Sequence, residues 1–244
     1  MKSRLDKLLA DNGWGSRRDI KRVLRERELA VNGVTRTDPA FRVDPETDVL
    51  TLRGEAVALR SFAYLMLNKC AGVVTSTSDP SHRTVMDLLD APWSSMGLFP
   101  VGRLDVDTEG LLVLTNDGPL THRVTSPKSG CEKTYLARLR DPVDDSALDS
   151  YRRRFLEGIT FHDGYTCMPA GIERARPHDA SSGDDASPCE VRVTIREGKY
   201  HQVKKMFKVV GNEVVYLKRL AMGGLTLDPA LPPGRYRELT AEEV

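Results

Sequence analysis

The chemistry of the chain is expected in the stretch Phe99-Pro-Val-Gly-Arg-Leu-Asp-Val-Asp-Thr-Glu-Gly-Leu-Leu-Val-Leu-Thr-Asn-Asp-Gly118. Its second half contains an apolar run, Leu111–Leu114, between Gly110 and the turn signal Asn116-Asp-Gly118. A short apolar run between such breakers predicts a buried strand.

The loop ahead of this strand contains Arg103 and two carboxylates, Asp105 and Asp107. A carboxylate on a loop that leads into a core strand can be held rigidly and partly desolvated, as a nucleophile or a general base requires. The same residue types also cap ordinary turns through side-chain to backbone hydrogen bonds. The loop by itself therefore leaves both interpretations open.

The bulk composition is that of a globular chain. With 244 residues, 40% hydrophobic and 29% charged, it can form one large domain or two smaller ones, each with a packed core. No apolar run approaches the roughly 20 residues needed to span a bilayer, and the N-terminus lacks the apolar region of a signal peptide. We therefore expect a cytoplasmic protein with no membrane partner.

The cysteine pattern argues against metal binding and against a disulfide framework. The four cysteines are scattered, with no Cys-x-x-Cys pair and no histidine at ligand spacing. Such cysteines are expected to be free thiols of a cytosolic protein, and no metal site is expected.

Two helices are predicted at the N-terminus. Leu5, Leu8 and Leu9 have the spacing of a short amphipathic helix, which ends at Asn12-Gly-Trp-Gly15. Ser16 then begins a second helix, in which Asp19 lies three positions later, the spacing of a capping box.

The second helix has a strong excess of positive charge, although the formal net charge of the whole chain is only +1. Six basic side chains against two acidic ones leave an excess of four over this helix and its end, and such a face suits a phosphate backbone. A face that is merely solvated usually alternates the two signs. The basic residues are Arg17, Arg18, Lys21, Arg22, Arg25 and Arg27.

Short strands complete a small N-terminal domain. Leu29–Val34 contains the hairpin signal Asn32-Gly33, and a further strand is predicted at Asp48–Leu52. Residues 54–61 show no clear periodicity and form the predicted linker. We expect an N-terminal domain at residues 1–59, including part of that linker, and a larger domain at residues 62–244.

The larger domain is predicted to consist mostly of strands with a few helices, which places the chain in the α+β class. Residues 174–189 are small and polar and are predicted to be a disordered or mobile surface loop. The other predicted elements are strands at 62–69, 132–139, 190–195, 217–219, 225–227 and 236–239, helices at 84–89, 144–157 and 201–210, and a basic loop at 122–128.

Residues 3–53 resemble the S4 RNA-binding domain. The resemblance is carried by Arg4-Leu-Asp-Lys-Leu-Leu9, by the basic helix that begins Ser16-Arg-Arg, and by Val31-Asn-Gly-Val34 with the apolar positions beyond it. It implies two helices plus short strands that bind RNA. The residues expected to contact RNA are Arg4, Lys7, Arg17, Arg18, Lys21, Arg22 and Arg25.

Three further stretches resemble the RsuA-type pseudouridine synthases. They are Gly102–Leu112, Lys133-Thr-Tyr135 and Glu197-Gly-Lys-Tyr-His-Gln-Val-Lys-Lys-Met206. Together with the S4-like segment they cover nearly the whole chain. The linking sequences His122–Pro127 and Gly130–Tyr135 look closer to the branch that acts on small-subunit (16S) ribosomal RNA. The resemblance implies a catalytic domain with a mixed, mostly antiparallel sheet flanked by helices.

The family's activity is the isomerisation of a specific uridine to pseudouridine in ribosomal RNA. The resemblance implies that Asp105 either attacks C1′ or removes a sugar proton, and both routes stay open. Lys204 is expected to pair with this carboxylate, because a buried carboxylate tends to be protonated without a nearby cation. Tyr135 is expected to stack on the uracil and to help remove the proton from C5.

The same resemblance implies a set of substrate-binding residues. Arg103 is expected to fill the gap left when the uridine is flipped out of its helix. Val203 is expected to pack against the base, and Lys133, His201 and Gln202 complete the substrate-binding set. No metal or organic cofactor is needed for such an isomerisation. The expected partner is ribosomal RNA or an assembling small-subunit particle, and we expect a monomer.

Other interpretations of the chain remain. Asp105-Val-Asp-Thr108 superficially suggests a phosphatase motif, and a glycoside hydrolase would also use two carboxylates. Neither explains the basic N-terminal helix. A synthase acting on 23S ribosomal RNA and a ribosome-assembly factor that only binds RNA are further alternatives. A pure binder would have no need of Asp105, Tyr135 and Lys204 together.

Overall fold

A computed structural model describes residues 2–57, 59–60, 62–176 and 188–244 of the chain. Within these ranges no helix is both long and apolar enough to cross a membrane.

The N-terminal region forms around a core of leucines. Leu5, Leu9 and Leu24 are fully buried and pack against Ile20 and Val31. The predicted helices are present, and the small sheet has the strand order β3-β2-β5-β6, while β1 pairs with β4. The elements are β1 (Ser3–Arg4), α1 (Leu5–Asp11), α2 (Arg17–Arg25), β2 (Leu29–Val31), β3 (Val34–Thr35), β4 (Arg42–Val43), β5 (Leu50–Leu52) and β6 (Glu55–Val57).

Two local signals in this region are confirmed. At the start of α2, the Ser16 hydroxyl accepts a hydrogen bond from the Asp19 amide while the Asp19 carboxylate accepts one from the Ser16 amide, as a capping box requires. Asn32 and Gly33 both have positive φ, 51° and 76°, and join β2 to β3 as a tight hairpin.

The predicted linker at 54–61 is wrong in its first part. Residues Glu55–Val57 form the strand β6, which pairs with β5, and Val57 is buried in the leucine core. An edge strand of three residues with one buried side chain is too short to show a period of two in the sequence. The domain boundaries themselves stay predictions.

The larger region is built on a mixed sheet. Among the described residues this sheet has nine strands, with the path β11-β12-β10-β13-β9-β7-β15 and the short strands β8 and β14 at its sides. The elements are β7 (Tyr64–Lys69), β8 (Phe99–Pro100), β9 (Glu109–Thr115), α3 (Gly118–Thr125), β10 (Lys133–Leu139), α4 (Asp145–Glu157), β11 (Gly171–Arg174), β12 (Glu190–Ile195), α5 (Gln202–Val209), β13 (Val214–Met222), β14 (Leu225–Thr226) and β15 (Tyr236–Glu238).

Most neighbouring strands of this sheet run antiparallel, whereas β9 and β13 run parallel. The predicted α+β class with a mostly antiparallel sheet is thus confirmed. The parallel contact depends on Gly110, which has φ +98°. A Cβ at this position would clash with the backbone of Arg219, so the close approach of β9 to β13 requires a glycine.

The sheet is covered on both faces, which explains the consecutive apolar residues in β7 and β9. On one face, Leu67 and Leu112 pack in the same cluster as Phe155 of α4 and Phe207 of α5. On the other face, Met66 and its neighbours pack with the last strands and α3. The predicted strand at Leu111–Leu114 is therefore a core strand, buried on alternate sides.

Three further predictions concern a basic loop, a mobile loop and a short helix of the larger region. The basic loop predicted at 122–128 is wrong for residues 122–125, which belong to α3. This helix begins after Asp117, whose carboxylate accepts a hydrogen bond from the Leu120 amide at 2.9 Å. The mobile loop predicted at 174–189 lies largely outside the described residues. The short helix predicted at 84–89 is a 3-10 turn at Val85–Leu88.

Candidate active site

The loop between β8 and β9 carries Asp105 at the edge of a cleft. Its backbone turns back on itself where the Thr108 amide donates to the Asp105 carbonyl at 3.1 Å. The Asp105 side chain is 28% exposed, so a substrate can reach its carboxylate while the surrounding protein restricts its motion.

Lys69 anchors this loop from inside the sheet. Its side chain is 0% exposed, and its ammonium donates to the carbonyls of Cys70, Val106 and Thr108 at 3.1, 3.2 and 2.8 Å. Burial lowers the pKa of Lys69 to about 8, against the opposing pull of nearby Asp107 and other acidic groups. A lysine at the end of an apolar strand was the available sequence signal, but sequence reasoning gave it no role.

The segment after β7 fixes the same loop from a second direction. The Thr75 hydroxyl donates to the Leu104 carbonyl at 2.8 Å and accepts from the Leu104 amide at 3.3 Å. The Gly72 amide donates to the Val106 carbonyl at 2.8 Å. The backbone on both sides of Asp105 is therefore held by hydrogen bonds, which is the support that a positioned carboxylate needs.

Helix α5 brings Lys204 to the loop. The Lys204 Nζ atom lies 3.2 Å from Asp105 Oδ2 and 2.6 Å from Asp107 Oδ1. Burial opposes the charge of Lys204, but the bonds to the two aspartates outweigh it and raise its pKa. Burial likewise opposes the charge of Asp107, but the hydrogen bond from Lys204 lowers its pKa.

His201 lies on the other side of the Asp105 carboxylate. Its Nε2 atom is 3.5 Å from Asp105 Oδ1, and it precedes α5 in a left-handed conformation with φ +54°. Its ring stacks on Tyr200 with centroids 3.8 Å apart, and Tyr200 is 73% exposed. His201 forms an ion pair with the carboxylate only when it is protonated.

Tyr135 and Val203 form the apolar walls of the cleft. Tyr135 is a buried residue of β10, and Val203 is a buried residue in the first turn of α5. The predicted catalytic and base-contacting residues thus meet in one place. The residues that line this cleft include Arg103, Asp105, Tyr135, His201, Val203 and Lys204.

Two other predicted substrate-binding residues, Gln202 and Lys133, have side chains that are hydrogen-bonded within the protein. Gln202 lines the cleft, but its amide is occupied: Nε2 donates to Glu197 Oε1 at 2.8 Å and Oε1 accepts from the Lys199 amide at 3.0 Å. Lys133 begins β10, and its ammonium donates to the Cys131 carbonyl at 2.9 Å. It lines a second cavity beside the cleft.

The side chains predicted to contact RNA are exposed on the N-terminal region. Arg4 forms an ion pair of 2.9 Å with the buried Asp6, and Lys7 is exposed on α1. The remaining five are exposed side chains of α2, namely Arg17, Arg18, Lys21, Arg22 and Arg25. Among the described residues, no group of three or more His, Cys, Asp or Glu side chains is arranged to hold a metal ion.

The loop, the α5 lysine and the strand tyrosine occur in a segment that matches a known family. A family model described as RNA pseudouridylate synthase matches residues 63–208. The chain belongs to this family. An S4 domain model matches residues 3–49, so this pseudouridine synthase carries an N-terminal S4 domain. Both resemblances stated from the sequence are confirmed.

Full-length relatives of the synthase agree with this assignment. An uncharacterized RNA pseudouridine synthase of Bacillus subtilis (strain 168), YtzG, is 46% identical over 99% of this chain and 96% of its own length. The ribosomal small subunit pseudouridine synthase A of Escherichia coli (strain K12) is 42% identical over 99% and 98%. A crystal structure of a pseudouridylate synthase superposes with a TM-score of 0.65 at 38% identity, covering 98% of this chain and 97% of the other.

Proposed function

We propose that this synthase converts a specific uridine of small-subunit (16S) ribosomal RNA into pseudouridine, with Asp105 as the reactive carboxylate. The observation that carries the proposal is the ion pair between Asp105 and Lys204 in a cleft walled by Tyr135. The choice of the small-subunit RNA is supported by full-length relatives named for that substrate.

The reaction rearranges atoms within one nucleotide and needs no co-reactant. The target uridine leaves its stack, because the reacting atoms are inaccessible within a helix. The N1–C1′ bond breaks, the detached uracil turns, and C5 bonds to C1′. C5 loses its proton and N1 ends with one. Asp105 serves by direct attack on C1′ or by removal of a sugar proton, and each route requires the ionised carboxylate.

The neighbours of Asp105 have separate tasks in this scheme. Lys204 keeps the carboxylate charged in a partly desolvated site, since an adjacent cation favours the ionised form. Tyr135 packs against the uracil and takes part in the proton transfer from C5. Val203 supplies an apolar contact to the base, and Arg103, which is exposed at the rim, occupies the space that the base leaves.

The S4 domain supplies affinity for RNA in this proposal. The exposed arginines and lysine of α2 contact phosphates, which adds binding energy without reading the sequence. The synthase then acts in the cytoplasm on ribosomal RNA or on an assembling small subunit.

The test is pseudouridine mapping by carbodiimide treatment and reverse transcription of ribosomal RNA from cells with and without this gene. We expect one stop to disappear from the small-subunit RNA and to return when the wild-type gene, but not the Asp105→Asn variant, is restored. A stop lost from the large-subunit RNA instead would overturn the substrate. No change in either RNA would favour an RNA-binding assembly factor.

A further inference from the structure

A second cavity adjoins the Asp105 cleft, and five of its fifteen lining residues are basic. Tyr135 and Arg103 line both spaces, so whatever fills the second cavity lies beside the reacting nucleotide. Its basic residues are Arg103, Lys133, Arg196, Lys199 and Arg219. Lysine and arginine side chains in one concave space favour an anionic ligand.

Arg219 is the most unusual of these residues because it is buried without a counter-ion. It is 1% exposed on the central strand β13, and its Nε atom donates to the Leu111 carbonyl at 2.7 Å. Its Nη2 atom is buried and has no hydrogen-bond partner among the residues that the structure describes. Among the described residues, no carboxylate lies within ion-pair distance of this guanidinium. A buried, unpaired charge is costly unless a ligand compensates it.

Lys133 lies on β10, which pairs with the Arg219 strand β13, and both residues line the same cavity. Burial and the Arg219 guanidinium lower the pKa of Lys133, although Cys131 opposes them. Its ammonium donates a hydrogen bond to the Cys131 carbonyl at 2.9 Å. Two neighbouring cations that repel each other inside a protein are best stabilised by an anion placed between them.

The acidic residues near the cavity bond to groups other than Lys133 and Arg219. The Glu197 carboxylate lines the cavity, but it accepts hydrogen bonds from the Tyr165 hydroxyl, the Met168 amide and the Gln202 side chain. Glu132 pairs with Arg196 at 3.0 Å on the surface. Glu197 keeps its negative charge, but five basic side chains against this one lining carboxylate leave the cavity with a net positive charge.

We propose that Lys133 and Arg219 bind one backbone phosphate of the RNA next to the target uridine. This inference rests on the proposed function and names the part of the substrate that the second cavity holds. A nucleotide that is turned out of a helix carries its flanking phosphates with it. A phosphate that is fixed beside the cleft positions C1′ of that nucleotide against Asp105. The protein holds the buried Arg219 guanidinium in place, so its bond to the phosphate is more rigid than a bond from a mobile surface lysine.

The test replaces single phosphates of the RNA by neutral methylphosphonates, one linkage at a time around the target uridine. For the wild-type synthase we expect one linkage at which the replacement raises KM by about tenfold to a hundredfold, the value of a hydrogen bond to a charged group. Lys133→Met should raise KM for unmodified RNA by a similar factor and should lose the sensitivity at that linkage. Arg219→Lys should behave in the same way, with its fold checked by circular dichroism.

The matched control is Lys208→Met, an exposed lysine of α5 outside the cavity. It should keep the wild-type sensitivity at every linkage. The proposal is overturned if the variants and the methylphosphonates act independently at all linkages, or if no linkage is sensitive in the wild type. Since Lys133→Met changes a half-buried residue, it tests the site even where Arg219→Lys does not fold.

Failure of the proposed function gives a different result. In that case the wild-type synthase forms no pseudouridine in the unmodified RNA. The same pairs of variant and methylphosphonate are then compared by equilibrium RNA binding instead of KM, so the phosphate site is still supported or overturned on its own.

Discussion

Lys204 lies closer to Asp107 than to Asp105: its Nζ atom is 2.6 Å from the Asp107 carboxylate and 3.2 Å from that of Asp105. Asp107 is 68% exposed, whereas Asp105 is 28% exposed in the cleft. Asp107 therefore helps to hold the lysine in place from the solvent side, and the more buried carboxylate faces the substrate.

The exchange Asp105→Asn should abolish pseudouridine formation and leave RNA affinity within a few-fold of the wild type. The amide keeps the shape of the side chain but can neither attack C1′ nor remove a proton. Tritium release from 5-tritiated uridine measures turnover, and filter binding measures affinity. Asp107→Asn is the control and should retain most activity. Turnover by Asp105→Asn would remove Asp105 from its proposed role.

The exchange Lys204→Met should lower stability most at neutral pH. The raised pKa of Lys204 means that its contribution is complete below the ordinary value of 10.5 and is lost as the pH rises through the folded-state pKa. The lowered pKa of Asp107 means that its contribution is present above 3.8 and is lost on acidification. Urea denaturation should therefore show the largest difference from wild type at about pH 5 to 9, and a difference that grows toward pH 3 would contradict the ion pair.

The sequence was sufficient to place the Asp105 loop, the α5 lysine and the strand tyrosine in one cleft, because a family resemblance gave their order. It was not sufficient to find Lys69 and Thr75. Both act by bonding to backbone carbonyls of a distant loop, and no residue pattern reveals which carbonyls a side chain will meet. The close pairing of Lys204 with Asp107 was not predicted because the family resemblance pairs this lysine with Asp105, and the sequence does not show which of two carboxylates in one loop lies nearer.

Where the predicted secondary structure differs from the observed fold, the cause is local and physical. The sequence Asn116-Asp-Gly118 is a turn signal, but Asp117 is also a helix-capping residue and Pro119 lies in the first turn of α3. The same residues fit a turn and a helix start, so the turn signal concealed the beginning of α3. Strand β6 is short and half exposed, so its formation depends on pairing with β5 and not on its own sequence. Strand β11 was not predicted for a similar reason, because it has four residues of which one is buried.

The exchange Tyr135→Phe should lower kcat with little change in KM, because the ring that packs against uracil remains while the hydroxyl proposed to act in proton transfer is lost. Uridine deuterated at C5 should then show a larger isotope effect with the variant than with the wild type, since loss of the C5 proton becomes slower. Tyr135→Leu should raise KM as well. An unchanged kcat for Tyr135→Phe would leave the hydroxyl without a catalytic role.

The exchange Thr75→Val should reduce kcat, because Thr75 holds the backbone of Leu104 and thereby the position of Asp105. Valine matches the shape of threonine but loses both hydrogen bonds to Leu104, and the unpaired backbone groups cost about 1–3 kcal/mol. We expect a drop in kcat of about tenfold or more together with a lower melting temperature. Thr160→Val is the matched control, because the hydroxyl of this exposed threonine bonds to Thr166 and not to the loop. A lower melting temperature with unchanged kcat would mean that Thr75 serves stability alone.

The double exchange Arg18→Gln, Arg25→Gln should weaken RNA binding and reduce its dependence on salt. Each phosphate contact that is lost lowers the slope of log K against log salt by about 0.7 to 0.9, so two contacts should lower it by about 1.5. Binding is measured between low and moderate KCl, and kcat at saturating RNA should not change because these arginines lie on α2, outside the cleft. Arg53→Gln is the control, since Arg53 is an exposed arginine of the same domain that pairs with Glu28 at 2.8 Å. An equal loss of slope in this control would show that the S4 domain attracts RNA by its total charge and not through the face of α2.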